Sequence, residues 1–129
     1  MAQLIFDLSG GEALGRWDFF VSGSNAAAAG WVDRWPAWPS STLVLHGPQG
    51  SGKTHLAHLW CARAAAILVA GNTLDETRLR QLADGGADRI AVDDAEGAGD
   101  ATLLHLFNLC RERGGGLLLT ARVSPAAWP

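Results

Sequence analysis

Short runs of consecutive apolar residues alternate along this chain with stretches in which apolar positions recur every three or four residues. The runs are Ser41-Thr-Leu-Val-Leu-His46, Ala66-Ile-Leu-Val-Ala70, Asp88-Arg-Ile-Ala-Val-Asp93 and Gly116-Leu-Leu-Leu-Thr120. Continuous apolar runs of this length, without a polar alternate, predict strands covered on both faces. Between them, helical spacing predicts helices over 54–63 and about 100–113, the latter with Leu103, Leu106, Phe107 and Cys110 on one face and Gly114 past its end. Thr73-Leu-Asp-Glu76 has the spacing of a capping box opening a short helix towards Leu82, closed by Gly85-Gly86. Upstream, Ser24 is placed to cap a helix from about Asn25 to Trp35 that stops before Pro36. The segment 1–23 reads as irregular apart from a short extended piece at 3–8. Strands alternating with helices imply an α/β fold: a three-layer parallel sheet with helices on both faces.

At 129 residues, 48% of them hydrophobic, the chain is long enough for one domain with a core of its own. Its net charge of −3 lacks the basic footprint of proteins that clamp nucleic acid, so no direct sequence-specific DNA binding is expected. No apolar segment has the length of a membrane span or the form of a secretory leader, and Cys61 and Cys110 both fall in predicted helices. A cytoplasmic protein with reduced thiols, and no membrane partner, is the corresponding expectation.

The candidate chemistry begins with lysine. Of ten basic residues nine are arginine, and the single lysine, Lys53, stands in Gly47-Pro48-Gln49-Gly50-Ser51-Gly52-Lys53-Thr54, a full match to the phosphate-binding P-loop pattern. The motif lies between a predicted strand and a predicted helix. That context turns the backbone N–H groups of Gly50, Ser51, Gly52 and Lys53 towards a polyphosphate, and the helix N-terminus adds partial positive charge. The Thr54 hydroxyl is the expected Mg²⁺ ligand, and Gly47 and His55 bracket the cofactor-binding set for ATP or ADP.

Phosphoryl chemistry also needs a metal-holding carboxylate at the end of a neighbouring strand, and Asp93-Asp94 ends the third run. Adjacent acids repel and are costly to bury unless a cation neutralises them. Asp93 is assigned to Mg²⁺. Asp94 is assigned to orienting or deprotonating an attacking water.

With these motifs in place a resemblance emerges. The run Asp18 to Ala27, the loop with its Lys53-Thr-His-Leu56 continuation, Ala91-Val-Asp-Asp94 and Leu117-Leu-Leu-Thr120 together resemble the AAA+ core of the DnaA/Hda family, and most of all its Hda-type branch. The resemblance implies a P-loop NTPase (AAA+) core over 24–129. It places Phe20, Val21 and Asn25 on the adenine side of the nucleotide, a reading that competes with plain core packing for Phe20 and Val21. It also places Thr120 where a polar residue watches the γ-phosphate. The implied partners are DnaA, the DNA polymerase sliding clamp and a further copy of the chain. The implied function is regulation of replication initiation by promoting ATP hydrolysis on DnaA. A DnaA-like initiator or helicase-loader paralogue acting on DNA, and a different P-loop enzyme such as a small-molecule kinase, are the alternatives.

Gln3-Leu4-Ile5-Phe6-Asp7-Leu8 is similar to the short clamp-binding peptide of that branch, with Gln3, Leu4, Phe6 and Leu8 as anchors; a first strand burying the same residues is the competing reading. Family members continue into a fifth strand, an arginine finger and a helical lid. Their absence from this sequence predicts an unpaired edge on the P-loop strand and weak hydrolysis in isolation, down by about 10³-fold or more. Arg111, Arg113 and Arg122 read as solvated helix-end or loop residues. His55, His58 and Cys61 share one helix, which does not make a metal site. The Trp-Pro pairs at 35–36, 38–39 and 128–129 suggest a hydrophobic collar or interface more than a base-stacking platform.

Overall fold

Successive residues of the central strands face two different cores. Leu43, Leu45, Ala91 and Leu118 pack with Val32 of the first helix and Leu56, Ala57, Trp60 and Ala64 of the second. Val44, Ile90, Val92, Leu117 and Leu119 pack instead with Leu79, Leu82, Leu103, Leu106, Phe107 and Cys110. This period of two is the geometry of a strand, and two buried faces explain the unbroken apolar runs.

The fold is seen in a computed structural model that describes residues 4–7, 24–38, 41–47 and 52–122. The elements are β1 (Leu4–Asp7), α1 (Ser24–Asp33), β2 (Thr42–His46), α2 (Lys53–Ala64), β3 (Ile67–Ala70), α3 (Glu76–Asp84), β4 (Arg89–Asp93), α4 (Asp100–Glu112) and β5 (Gly116–Ala121). All strand pairs are parallel and the sheet order is β1-β2-β5-β4-β3. Helices α1 and α2 cover one face, α3 and α4 the other, as the alternating pattern predicts.

Two sequence expectations are corrected. The edge of β2 expected to stand open is occupied by β1, in the register Leu4↔Leu43 to Asp7↔His46. The extended piece at the start of the chain therefore continues as a strand over Leu4–Asp7, which removes the aggregation-prone edge. The cap of α3 is Asp75, whose carboxylate accepts from the Arg78 N–H at 2.8 Å, rather than Thr73. Thr73 ends a 3₁₀ turn over Gly71–Thr73, and its hydroxyl donates to the Ala70 carbonyl at 2.9 Å. Asp75, two residues closer to the helix, fills the cap because that turn takes Thr73 out of helical register.

At the end of the sheet where strands begin, Trp38 stacks on the buried Trp60 with centroids 5.4 Å apart, and Trp35 meets both rings edge-on. The Trp38 indole N–H donates to the Trp31 carbonyl at 2.7 Å. This is the collar suggested by the Trp-Pro pairs. Its rings seal α1 and α2 against the foot of β5, leaving the opposite end of the sheet for chemistry.

Candidate functional site

In a parallel sheet every strand ends on the same side, and ligands bind there. The C-terminal ends of β2, β5 and β4 carry the loop 47–54, Arg122 and Asp93-Asp94 in that spatial order. A cleft of about 420 Å³ at this end is lined by Gly52, Lys53, Thr54, His55, Asp93, Asp94 and Arg122.

The loop side is set by Gly47 and Gly52. The Gly47 N–H donates to the Ala121 carbonyl at 3.0 Å, so the chain leaves β2 still tied to β5. Gly52 has φ 96°, a left-handed conformation that residues with a Cβ rarely adopt, and it turns the chain into α2. No side chain caps that helix, and its first residue is Lys53, only 4% exposed despite its charge. An uncapped twelve-residue helix opening on a buried ammonium makes an anion-attracting end to the cleft. His55 lines the same cleft from the first turn of α2.

The acid side is built from two strands. The Thr54 hydroxyl lies 3.1 and 3.2 Å from the two carboxylate oxygens of Asp93. The buried Thr120 hydroxyl donates to the same carboxylate and accepts from the Asp94 N–H at 2.9 Å. Asp94 itself is left-handed, with φ 55° and ψ 59°, and its carbonyl accepts from the Gly97 N–H at 3.0 Å. A non-glycine residue held so at a cleft is stored strain, and Thr120 is one of the groups that hold it. Gly71 holds it from behind: a Cβ there would lie 2.1 Å from the Asp94 carbonyl oxygen.

Of the residues singled out in the sequence, Gly52, Lys53, Thr54, His55, Asp93 and Asp94 line this one cleft, and Gly47 follows β2 beside it. Thr120 lies at the same end of the sheet, its hydroxyl engaged by the Asp93 carboxylate and the Asp94 N–H. Arg122 is 60% exposed, as its reading as a solvated loop residue has it, and it also lines the cleft, with its Nε 3.9 Å from an Asp94 oxygen and its N–H donating to Glu96. Its position just past the fourth apolar run was the available signal. Arg111 and Arg113 lie elsewhere, the first over the Phe107 ring and the second on the Ala83 and Ala87 carbonyls. Gly50, Ser51, Phe20, Val21, Gln3 and Leu8 lie outside the described residues. Asn25 falls in α1, and Leu4 and Phe6 in β1.

A second groove of about 400 Å³ runs between α3 and α4, lined by Glu76, Leu79, Arg80, Ala83, His105, Asn108, Leu109 and Glu112. Glu76 there accepts from Thr102 and pairs with His105 Nδ1, both at 3.0 Å, and these hydrogen bonds hold its carboxyl below the usual carboxylate range.

Hard oxygen donors from Thr54 and Asp93, facing each other beside a buried lysine, fit a Mg²⁺ ion. Among the described residues no helix is long and apolar enough to cross a membrane.

No protein-family profile matches the chain, and no curated protein matches it. Solved structures do. AMPPCP-bound DnaA from Aquifex aeolicus superposes with a TM-score of 0.63 at 15% identity, over 90% of this chain and 41% of that one. The replication initiator DnaA bound to AMPPCP and single-stranded DNA gives 0.63 at 15%, over 89% and 41%. The chain thus shares a fold with DnaA and spans about two fifths of the length of those structures.

Proposed function

We propose that this chain is the nucleotide-binding core of a DnaA-related regulator of replication initiation, holding ATP or ADP with Mg²⁺ in the cleft at the ends of β2, β5 and β4. The observation that carries this reading is the meeting of Thr54 with Asp93 at 3.1 Å, from motifs 39 residues apart. A hydroxyl from the phosphate loop beside a carboxylate from the next-but-one strand is the pair that a polyphosphate-bound Mg²⁺ requires. Lys53 and the amides at the head of α2 bind and orient the phosphates. Thr54 and Asp93 would hold the ion, which when bound would neutralise phosphate charge. Asp94, about half exposed and fixed by Thr120, orients a water and takes its proton.

Within this reading the protein acts on DnaA while tethered to the sliding clamp, in the Hda manner. The resemblance of the segment 3–8 to a clamp-binding peptide supports the tether, and pairing of β1 with β2 is what the clamp must compete against. Calorimetric titration of the chain with ADP and with AMPPCP, with and without Mg²⁺, tests the nucleotide site. Micromolar binding that needs Mg²⁺ and is lost in Lys53→Ala is expected, and equal behaviour of the two proteins removes the proposal. A DnaA ATPase assay with clamp on DNA tests the finer role: the wild type accelerates hydrolysis and Gln3→Ala/Leu4→Ala does not. Equal stimulation by both discards the clamp tether.

A further inference from the structure

Trp35 lies at the foot of the sheet, at the opposite end from the cleft, and rests against Gly116: a Cβ added there would come within 2.4 Å of the Trp35 ring. Gly116 opens β5 and pairs in register with Arg89, the first residue of β4. Side chains alternate along β4, Ala91 packing with α1 and α2, so Arg89 falls on that same face beside Trp35. Its guanidinium lies 5.8 Å from the Trp35 ring centroid and donates to the Ala64 carbonyl at 2.9 Å. Arg63, in the last turn of α2, donates to the Trp35 carbonyl at 3.4 Å. Arg34 stands 4.7 Å from the centroid of the Trp31 ring. Three of the nine arginines thus gather around the tryptophans, and all three are exposed. Among the described residues none of the three is ion-paired with a carboxylate, neighbouring Asp33 and Asp88 included. In a chain of net charge −3 this is a local excess of positive charge.

We propose that this face is a docking surface for an acidic peptide segment of a partner protein, whose aspartate or glutamate carboxylates are received by Arg34, Arg63 and Arg89. The unpaired cations call for an anion. The rings decide which kind. A guanidinium lying over an indole gives up freedom before any partner arrives, and its N–H edge, the edge that pairs two-to-two with a carboxylate, stays available. Nucleic acid needs open ring faces on which bases stack. Here Trp38 is stacked on Trp60, Trp35 meets both edge-on, and Trp31 and Trp35 carry the Arg34 and Arg89 guanidiniums. These rings back the cations instead of forming a platform. Trp31, Trp35 and Trp38 are each partly buried, so their remaining surface borders the arginines and takes the apolar side chains of the same peptide.

The test follows the fluorescence anisotropy of fluorescein-labelled hexaglutamate titrated with the full chain. A dissociation constant of about 100 μM or tighter is expected at low salt, weakening several-fold by about 0.15 M ionic strength. Arg34→Gln/Arg63→Gln weakens it about tenfold or more. Both residues are exposed and far from the cleft, so the melting temperature stays close to wild type. Arg89→Lys, which keeps the charge and loses the fork, also weakens binding. No binding by the wild type, or equal binding by either variant, overturns the proposal. Hexathymidylate binding as tightly as hexaglutamate overturns it in favour of nucleic acid. Salt-sensitive self-association in sedimentation, lost in the double variant, overturns it in favour of a second copy of the chain.

Discussion

The Thr54 hydroxyl sits 3.1 Å from Asp93 Oδ1 and 3.2 Å from Oδ2, joining the first turn of α2 to the end of β4 across the intervening strand β5. Neither side chain is buried, so packing alone does not hold the pair there. Asp93→Asn removes the charge and keeps the shape. Mg²⁺-dependent nucleotide affinity then falls about tenfold or more, while the affinity measured in EDTA is unchanged. Thr54→Ser retains binding and Thr54→Ala loses it. Equal losses with and without Mg²⁺ count against metal ligation by this pair.

Thr120 is fully buried and its hydroxyl serves two partners, the Asp93 carboxylate and the Asp94 N–H. Thr120→Val conserves volume but leaves that N–H and one carboxylate position without a hydrogen bond. A loss of about 1–3 kcal/mol in urea unfolding is expected. Thr120→Ser restores most of it. If valine is as stable as threonine, the hydroxyl does not position the acids.

Gly71 lies behind Asp94, and Gly71→Ala drives a methyl group into the Asp94 carbonyl. The peptide has to move. Overpacking of this kind costs about 1–3 kcal/mol. Because the displaced acid is assigned to water and not to phosphate, hydrolysis slows more than binding weakens. Single-turnover hydrolysis set against nucleotide affinity separates the two.

Cys110 packs in the core beneath α4, and burial, reinforced by the nearby Asp88 and opposed by Arg113, pushes its thiol up to about 12. At pH 8 roughly one molecule in 10⁴ then carries the thiolate. Iodoacetamide followed by mass spectrometry therefore labels Cys61 first, itself raised by burial but half-buried, and reaches Cys110 only on unfolding. The sign for stability follows. Near pH 7 the thiol is neutral in both states and contributes nothing. As pH rises through the ordinary thiol range the unfolded chain loses this proton first, so stability falls. Cys110→Ala shows a shallower alkaline decline. Equal slopes for the two proteins refute the assignment.

Much of this was legible in the sequence for a physical reason: strands buried on both faces write unbroken apolar runs, and a phosphate loop needs glycines and one ammonium at fixed spacing. The four runs correspond to β2, β3, β4 and β5 within a residue or two, and the acids at the end of the third run fall at the end of β4. The misses share another cause. Arg122 enters the cleft only because β5 lies between β2 and β4, and sheet order is not written in any local pattern. Leu4–Asp7 was legible as an extended piece, but that it pairs with the free edge of β2 is not written in so short a segment. At α3 two residues with capping chemistry, Thr73 and Asp75, stand two apart, and a short 3₁₀ turn decides between them.

The strand that leads into the phosphate loop pairs on one side with the strand before it in sequence and on the other with β5, two strands further on than the next one. Leu43 of β2 pairs with Leu4 on one side and with Leu118 on the other. During synthesis β2 therefore emerges from the ribosome long before its second partner, and its exposed backbone waits for β5 while β3 and β4 are still being made. The cleft is complete only once β5 slots between β2 and β4, so its two walls, the head of α2 and the end of β4, come together late relative to the strands that carry them.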